Sequence, residues 1–139
     1  MVEKWHIAAS FRNMAREYYC AEAALPERRF NHVHAFLLCR SLELVLKAFL
    51  SANGETIKNL KGRDVGHKLQ VILRKCEAAG LGRSFSDVPT LREQVKLVDQ
   101  YYSAKQYEYS EKGCVELPKL TVLRELVSKL LTLTKSLCV

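Results

Sequence analysis

Two groups of side chains in this sequence have the types and spacing to bind an anionic ligand, and a third has those of an ion-paired contact. Arg63 and His67 lie four apart at what reads as the start of a helix. A basic corner there, beside backbone N–H groups that lack helical partners, favours anions. Tyr101, Tyr102, Tyr107 and Tyr109, with Lys105 and Lys112 between and beyond them, offer rings for base stacking beside positive charge. Arg40, Glu43 and Lys47, spaced by three and four, form a polar stripe on an otherwise apolar segment. Glu43 stands N-terminal to Lys47, the favourable orientation for a helix ion pair. Each group also has a plainer reading. The stripe either lies on a solvated face or faces another helix, where its charges fix register or a subunit contact. His67 serves equally as a capping or packing histidine, and the tyrosines as a seal for a bundle end or an interface.

Other chemistries find little support. The chain has no G-x-x-x-x-G-K-[ST] loop, G-x-G-x-x-G turn, H-E-x-x-H helix or G-x-S-x-G elbow. Its acids are scattered rather than paired. The five cysteines, Cys20, Cys39, Cys76, Cys114 and Cys138, contain no C-x-x-C pair. They read as reduced thiols, with no metal and no cofactor expected. The formal net charge of +7, from 22 basic and 15 acidic side chains, attracts polyanions and adds salt-dependent affinity for nucleic acid. The start of the chain lacks the apolar run of a signal peptide. The apolar run Ala35 to Cys39 is broken at Arg40, far short of the roughly 20 residues that span a bilayer. A cytoplasmic protein without membrane attachment is expected.

The elements that position these residues are helical. The 139 residues match one domain in length. Five helical segments can be read, and no convincing strand. In the first, about Val2 to Leu25, the residues Ala8, Phe11, Ala15, Tyr18, Ala21 and Leu25 line one mostly small face. The second, about Arg28 to Ala52, is apolar on nearly all sides and belongs at the centre of a bundle. Asn53-Gly54 ends it, and a polar, basic loop runs from Glu55 to about Gly66. The third carries Leu69, Ile72, Leu73 and Cys76 and stops at Gly80. The fourth begins near Thr90, with Glu93 three residues on as a capping box. A polar flap from Tyr107 to Leu117 precedes the fifth, which Pro118 opens. Its leucines cover half the circumference, enough to pack on two neighbours. The expected fold is all-α, an up-and-down bundle of four to five helices over residues 1–139.

The run Leu42-Glu43-Leu44-Val45-Leu46-Lys47-Ala48-Phe49-Leu50, followed by Gly54 and Gly66-His67-Lys68-Leu69, resembles the core of the HEPN superfamily. There a central helix with an E-x-x-x-K-A pattern leads through a loop to a G-H-x-L start of the next helix. The resemblance covers about the middle third of the chain. It implies a homodimer, RNA or nucleotide as ligand, and a nucleotidyltransferase-fold protein as partner in a toxin–antitoxin or defence pair. HEPN ribonucleases carry R-x(4–6)-H on a late helix, where histidine moves the 2′-hydroxyl proton and arginine stabilises the phosphorane. This chain departs from that pattern. Its late helices offer Arg92 and Arg124, but no histidine follows His67. Arg28 and Arg29 stand at the motif's spacing from His34, at the start of the central helix instead. The resemblance therefore implies a non-catalytic or degenerate HEPN-like binding module. The alternatives are a ribonuclease using Arg28 or Arg29 with His34, and a protein-interaction module with no nucleic-acid role.

Overall fold

The structure, a computed structural model, describes residues 4–26, 31–62, 65–102 and 120–138. Seven helices and no strand occur among the described residues. They are α1 (Lys4–Ala24), α2 (Asn31–Ala52), α3 (Ile57–Lys61), α4 (Leu69–Ala78), α5 (Leu81–Ser84), α6 (Val88–Tyr102) and α7 (Leu120–Leu137). The all-α bundle read from the sequence is what forms, and its five segments correspond to α1, α2, α4, α6 and α7.

The apolar girdle of α2 places it at the centre, where it packs against α1, α4, α6 and α7. Every residue from Ser41 to Ser51 is buried. α1 runs antiparallel to it, close enough for the Ser41 hydroxyl to donate to the Ala15 carbonyl at 2.6 Å. Ala8 and Ala15, both fully buried, permit that approach. The inward face of α1 differs from expectation at one position. Ala21 is exposed, and Glu22, 0% exposed, takes the inward place. Ala8, Ala15 and Glu22 are seven apart, about two helical turns, which brings them onto one line. α7 buries Leu123, Leu126, Val127, Leu130 and Leu131. It packs on both α1 and α2. Arg12 ties α1 to it, donating from its Nε at 3.2 Å and from a terminal nitrogen at 2.9 Å to the Leu131 carbonyl.

Two short helices interrupt segments that read as loop. Thr56 caps α3 by accepting the Asn59 N–H on its hydroxyl at 3.2 Å, and Leu60 of that turn is fully buried. Gly80 ends α4 with φ of 96°, a left-handed conformation that favours glycine, and α5 begins at the next residue. α6 starts at Val88, not at Thr90, so Thr90 and Glu93 lie inside the helix rather than forming a capping box. Pro89 accounts for the shift, since proline fits the first turn of a helix. α4 and α6 lie antiparallel, with Arg92 beside Glu77 at one end and Asp99 beside Leu69 at the other. No described helix is long and apolar enough to cross a membrane. The flap at 107–117 and Pro118 lie outside the described residues.

Candidate functional site

Glu43 is the centre of the first polar cluster. α2 carries it on the side facing the start of α4, and it is fully buried. A carboxylate taken out of water needs several donors to compensate. One oxygen accepts from the Arg40 guanidinium at 2.9 Å and from the Lys47 ammonium at 3.0 Å. His67 Nδ1 lies 2.9 Å and 3.1 Å from the two oxygens. A carboxylate only accepts, so Nδ1 carries a proton and donates. Arg40 stands 3.4 Å from the same nitrogen and is a neighbouring charge there, not a donor to it. The Arg40 guanidinium also lies 5.8 Å from the centre of the Tyr18 ring, a cation–π contact that ties α1 to the cluster. The solvated-face reading of the stripe is thereby corrected. Lys47 is only 6% exposed, and both it and Glu43 are engaged inside one chain.

This corner opens to solvent through His67, whose side chain is 65% exposed, and through exposed Lys68. Gly66, with φ of 45°, makes the tight turn that presents them. The Leu69 N–H at the start of α4 donates to the Asp99 carboxylate at 2.9 Å. That bond occupies a helix-end donor that an anion would otherwise use. It also brings the last turn of α6, whose backbone includes Tyr101 and Tyr102, beside His67 and Lys68. Two regions read separately in the sequence therefore meet at one end of the bundle. The side chains of Tyr101 and Tyr102 lie outside the described residues, as do Arg63, Lys105, Tyr107 and Tyr109.

A second buried carboxylate had no counterpart in the sequence reading. Glu22 accepts from the Arg124 Nε at 3.0 Å and 3.2 Å, and from a terminal nitrogen of the same guanidinium. It also accepts from His34 Nδ1 at 2.8 Å. The other ring nitrogen of His34 is 3.0 Å from the Pro26 carbonyl, which can only accept. With an acceptor facing each nitrogen, the surroundings favour the doubly protonated ring. Burial alone would push the Glu22 carboxyl up, but the Arg124 and His34 hydrogen bonds outweigh it and hold it below its ordinary range. The Pro26 carbonyl, then the Glu22 carboxylate, raise the His34 pKa against the opposing effect of burial. His34 is 3% exposed, with both ring nitrogens engaged. Arg28 and Arg29 lie outside the described residues.

Neither cluster resembles a metal site, and no grouping of three or more potential ligands occurs among the described residues. No disulfide forms there either. Cys39, Cys76 and Cys138 are buried and Cys20 is exposed, while Cys114 lies outside the described residues. Burial pushes the Cys76 thiol far up, so it is no nucleophile. No protein-family model, curated protein or solved structure matches this chain.

Proposed function

We propose that this chain is a HEPN-like helical module that binds RNA without cleaving it, through the corner where α4 begins. The observation that carries this reading is the meeting of exposed His67 and Lys68 with the tyrosine-bearing end of α6. Positive charge holds a phosphate, and the sequence supplies tyrosines at the end of α6, a residue type on which unstacked bases stack. Among the described residues at the corner, Arg40, Lys47 and Lys68 outnumber the carboxylates of Glu43 and Asp99. The net charge of +7 steers a polyanion toward the molecule. The state of His34 weighs against cleavage at that residue, because a general base needs a free nitrogen within reach of the 2′-hydroxyl. A homodimer belongs to the same reading through the HEPN resemblance.

The test is binding of a labelled mixed-sequence single-stranded RNA by pure protein in chelator, over a series of salt concentrations. Retention that weakens with salt, with the RNA left intact, is the expected result. His67→Ala combined with Lys68→Ala should weaken binding while His34→Ala leaves the RNA uncut. Failure to bind at low salt would overturn the reading. So would metal-independent cleavage that disappears in His34→Ala.

A further inference from the structure

Away from the corner, an open depression of about 320 Å³ runs between the outer faces of α4 and α6. Its floor is apolar but nearly closed, since Leu73 is 3% exposed and Val95 1%. Its walls are charged: Arg74 rises from α4, and Arg92 and Lys96 from α6. Glu77 is the one acid in the lining, and Arg92 already engages it, donating from Nε at 2.7 Å. Arg74 uses its Nε on the Gln70 carbonyl of its own helix at 3.4 Å. The groove thus presents cations on both walls with its single carboxylate matched. The apolar surface open in the groove is small, so its burial would add only about 1 kcal/mol to a docking helix. The occupant this groove fits is a chain of repeated negative charge.

The groove lies between the same two helices, α4 and α6, that meet at the proposed binding corner. Asp99, one turn beyond Lys96, accepts from the Leu69 N–H, so the end of α6 past the groove lies at the start of α4, next in sequence to Lys68 and His67. With Arg92 engaged by Glu77, Arg74 on one wall and Lys96 on the other are the cations left to face a strand in the groove. Resting on the RNA-binding reading above, we propose that the α4–α6 groove seats the phosphate backbone of single-stranded RNA. Arg74 and Lys96 are its phosphate-contacting cations, and the strand leads on to the corner, where its bases are read. Phosphate contacts position a strand without reading its sequence. The groove therefore adds affinity and direction, and the corner adds whatever base preference exists.

The experiment measures the salt dependence of affinity for a labelled single-stranded RNA by fluorescence anisotropy. Wild type is set beside Arg74→Gln/Lys96→Gln and beside Arg16→Gln/Lys135→Gln. The last pair removes the same charge from exposed positions on α1 and α7, on the other side of α2. Each phosphate contact on a single strand contributes about 0.7 to the slope of log affinity against log salt, so losing two should flatten the slope by roughly 1.4. The affinity gap between wild type and the groove variant should then narrow about 7-fold between about 50 and 200 mM salt. The α1/α7 pair should change the slope far less. The charge-conserving pair Arg74→Lys/Lys96→Arg should keep it. Equal losses in the groove and control pairs would reduce the effect to diffuse charge and overturn the proposal, as would an unchanged groove variant. Displacement of the RNA by poly-glutamate of equal charge would assign the groove to acidic protein and overturn it too. A wild type that binds no RNA removes the earlier reading itself. Binding that depends on His67 and Lys68 but not on Arg74 and Lys96 removes only this one.

Discussion

Replacing Glu22 by glutamine keeps the shape of the side chain and removes the charge that two cations share. In the native cluster the carboxylate is fully buried, His34 is nearly so, and the Arg124 side chain is 30% exposed. Glu22→Gln leaves an amide NH₂ group against N–H donors and leaves the imidazolium without a counter-charge. Breaking a buried ion pair from one side typically costs 3–5 kcal/mol, and Arg124 can recover some hydration, so about 3 kcal/mol is expected. For a chain of this length that lowers the melting temperature by about 10 °C. The pH dependence carries the sharper signature. The lowered pKa of Glu22 means its contribution is present above its usual value near 4.5 and is lost as pH falls through the folded value. The raised pKa of His34 means its contribution is complete below its usual value near 6.5 and fades as pH rises through the folded value. Wild type should therefore exceed Glu22→Gln most clearly at about pH 5–6, with a narrower margin on either side. The assay is urea unfolding followed by circular dichroism at 222 nm across pH 4 to 9. A difference below about 1 kcal/mol at pH 5.5, or one that does not vary with pH, would refute the reasoning.

Glu43→Gln should also cost about 3 kcal/mol in the same assay, because three donors lose one buried acceptor. His67→Ala, on a ring largely in water, should cost under about 1 kcal/mol, and equal costs for the two would contradict the description of that cluster. Native protein treated with iodoacetamide should be labelled at exposed Cys20 and protected at buried Cys76 until it is unfolded. Peptide mapping by mass spectrometry reads this directly, and early labelling of Cys76 would count against its burial. Gly80→Ala should destabilise by about 1–2 kcal/mol, since φ of 96° is strained for any side chain. The added methyl meets the Arg83 side chain only at an ordinary 3.6 Å, so that cost is a backbone cost. Gly82→Ala, with nothing within 4 Å and a place in a helix, should stabilise by about 0.4–1 kcal/mol.

Helices of ten residues or more were legible because their apolar periods are long enough to stand out. α3 and α5, of five and four residues, are too short to show a period. Only local chemistry announces them, such as Thr56 with its hydroxyl on the Asn59 N–H. The Glu43 cluster was half legible: the spacing of Arg40, Glu43 and Lys47 was plain, but burial was not, because the partner that covers it comes from 24 residues away at His67. The Glu22 cluster was not foreseen. Its members come from α1, α2 and α7, and Arg124 is separated from Glu22 by 102 residues. One signal was present. Glu22 continues the seven-residue line of Ala8 and Ala15, so a charge stood where the pattern called for a core residue. Reading Ala21 as the inward residue instead followed the apolar type and missed the angle.

A helix with leucine and phenylalanine on almost every side is poorly specified by oil alone, since several rotations and shifts would bury nearly the same area. α2 carries two charged indices that break this degeneracy. His34 and Glu43 are nine residues apart, about two and a half turns, so they face opposite sides of the helix. One index meets a carboxylate presented by α1, and the other presents its own carboxylate toward α4. Sliding α2 forward by one turn would set Leu38 against Glu22, leaving that acid to Arg124 alone, and bring Lys47 to His67, leaving the ring's Nδ1–H without its acceptor. Turning it would misplace both at once. Only one seating satisfies the two, so the polar atoms act as a keyway that selects a single packing from the many the apolar surface would accept.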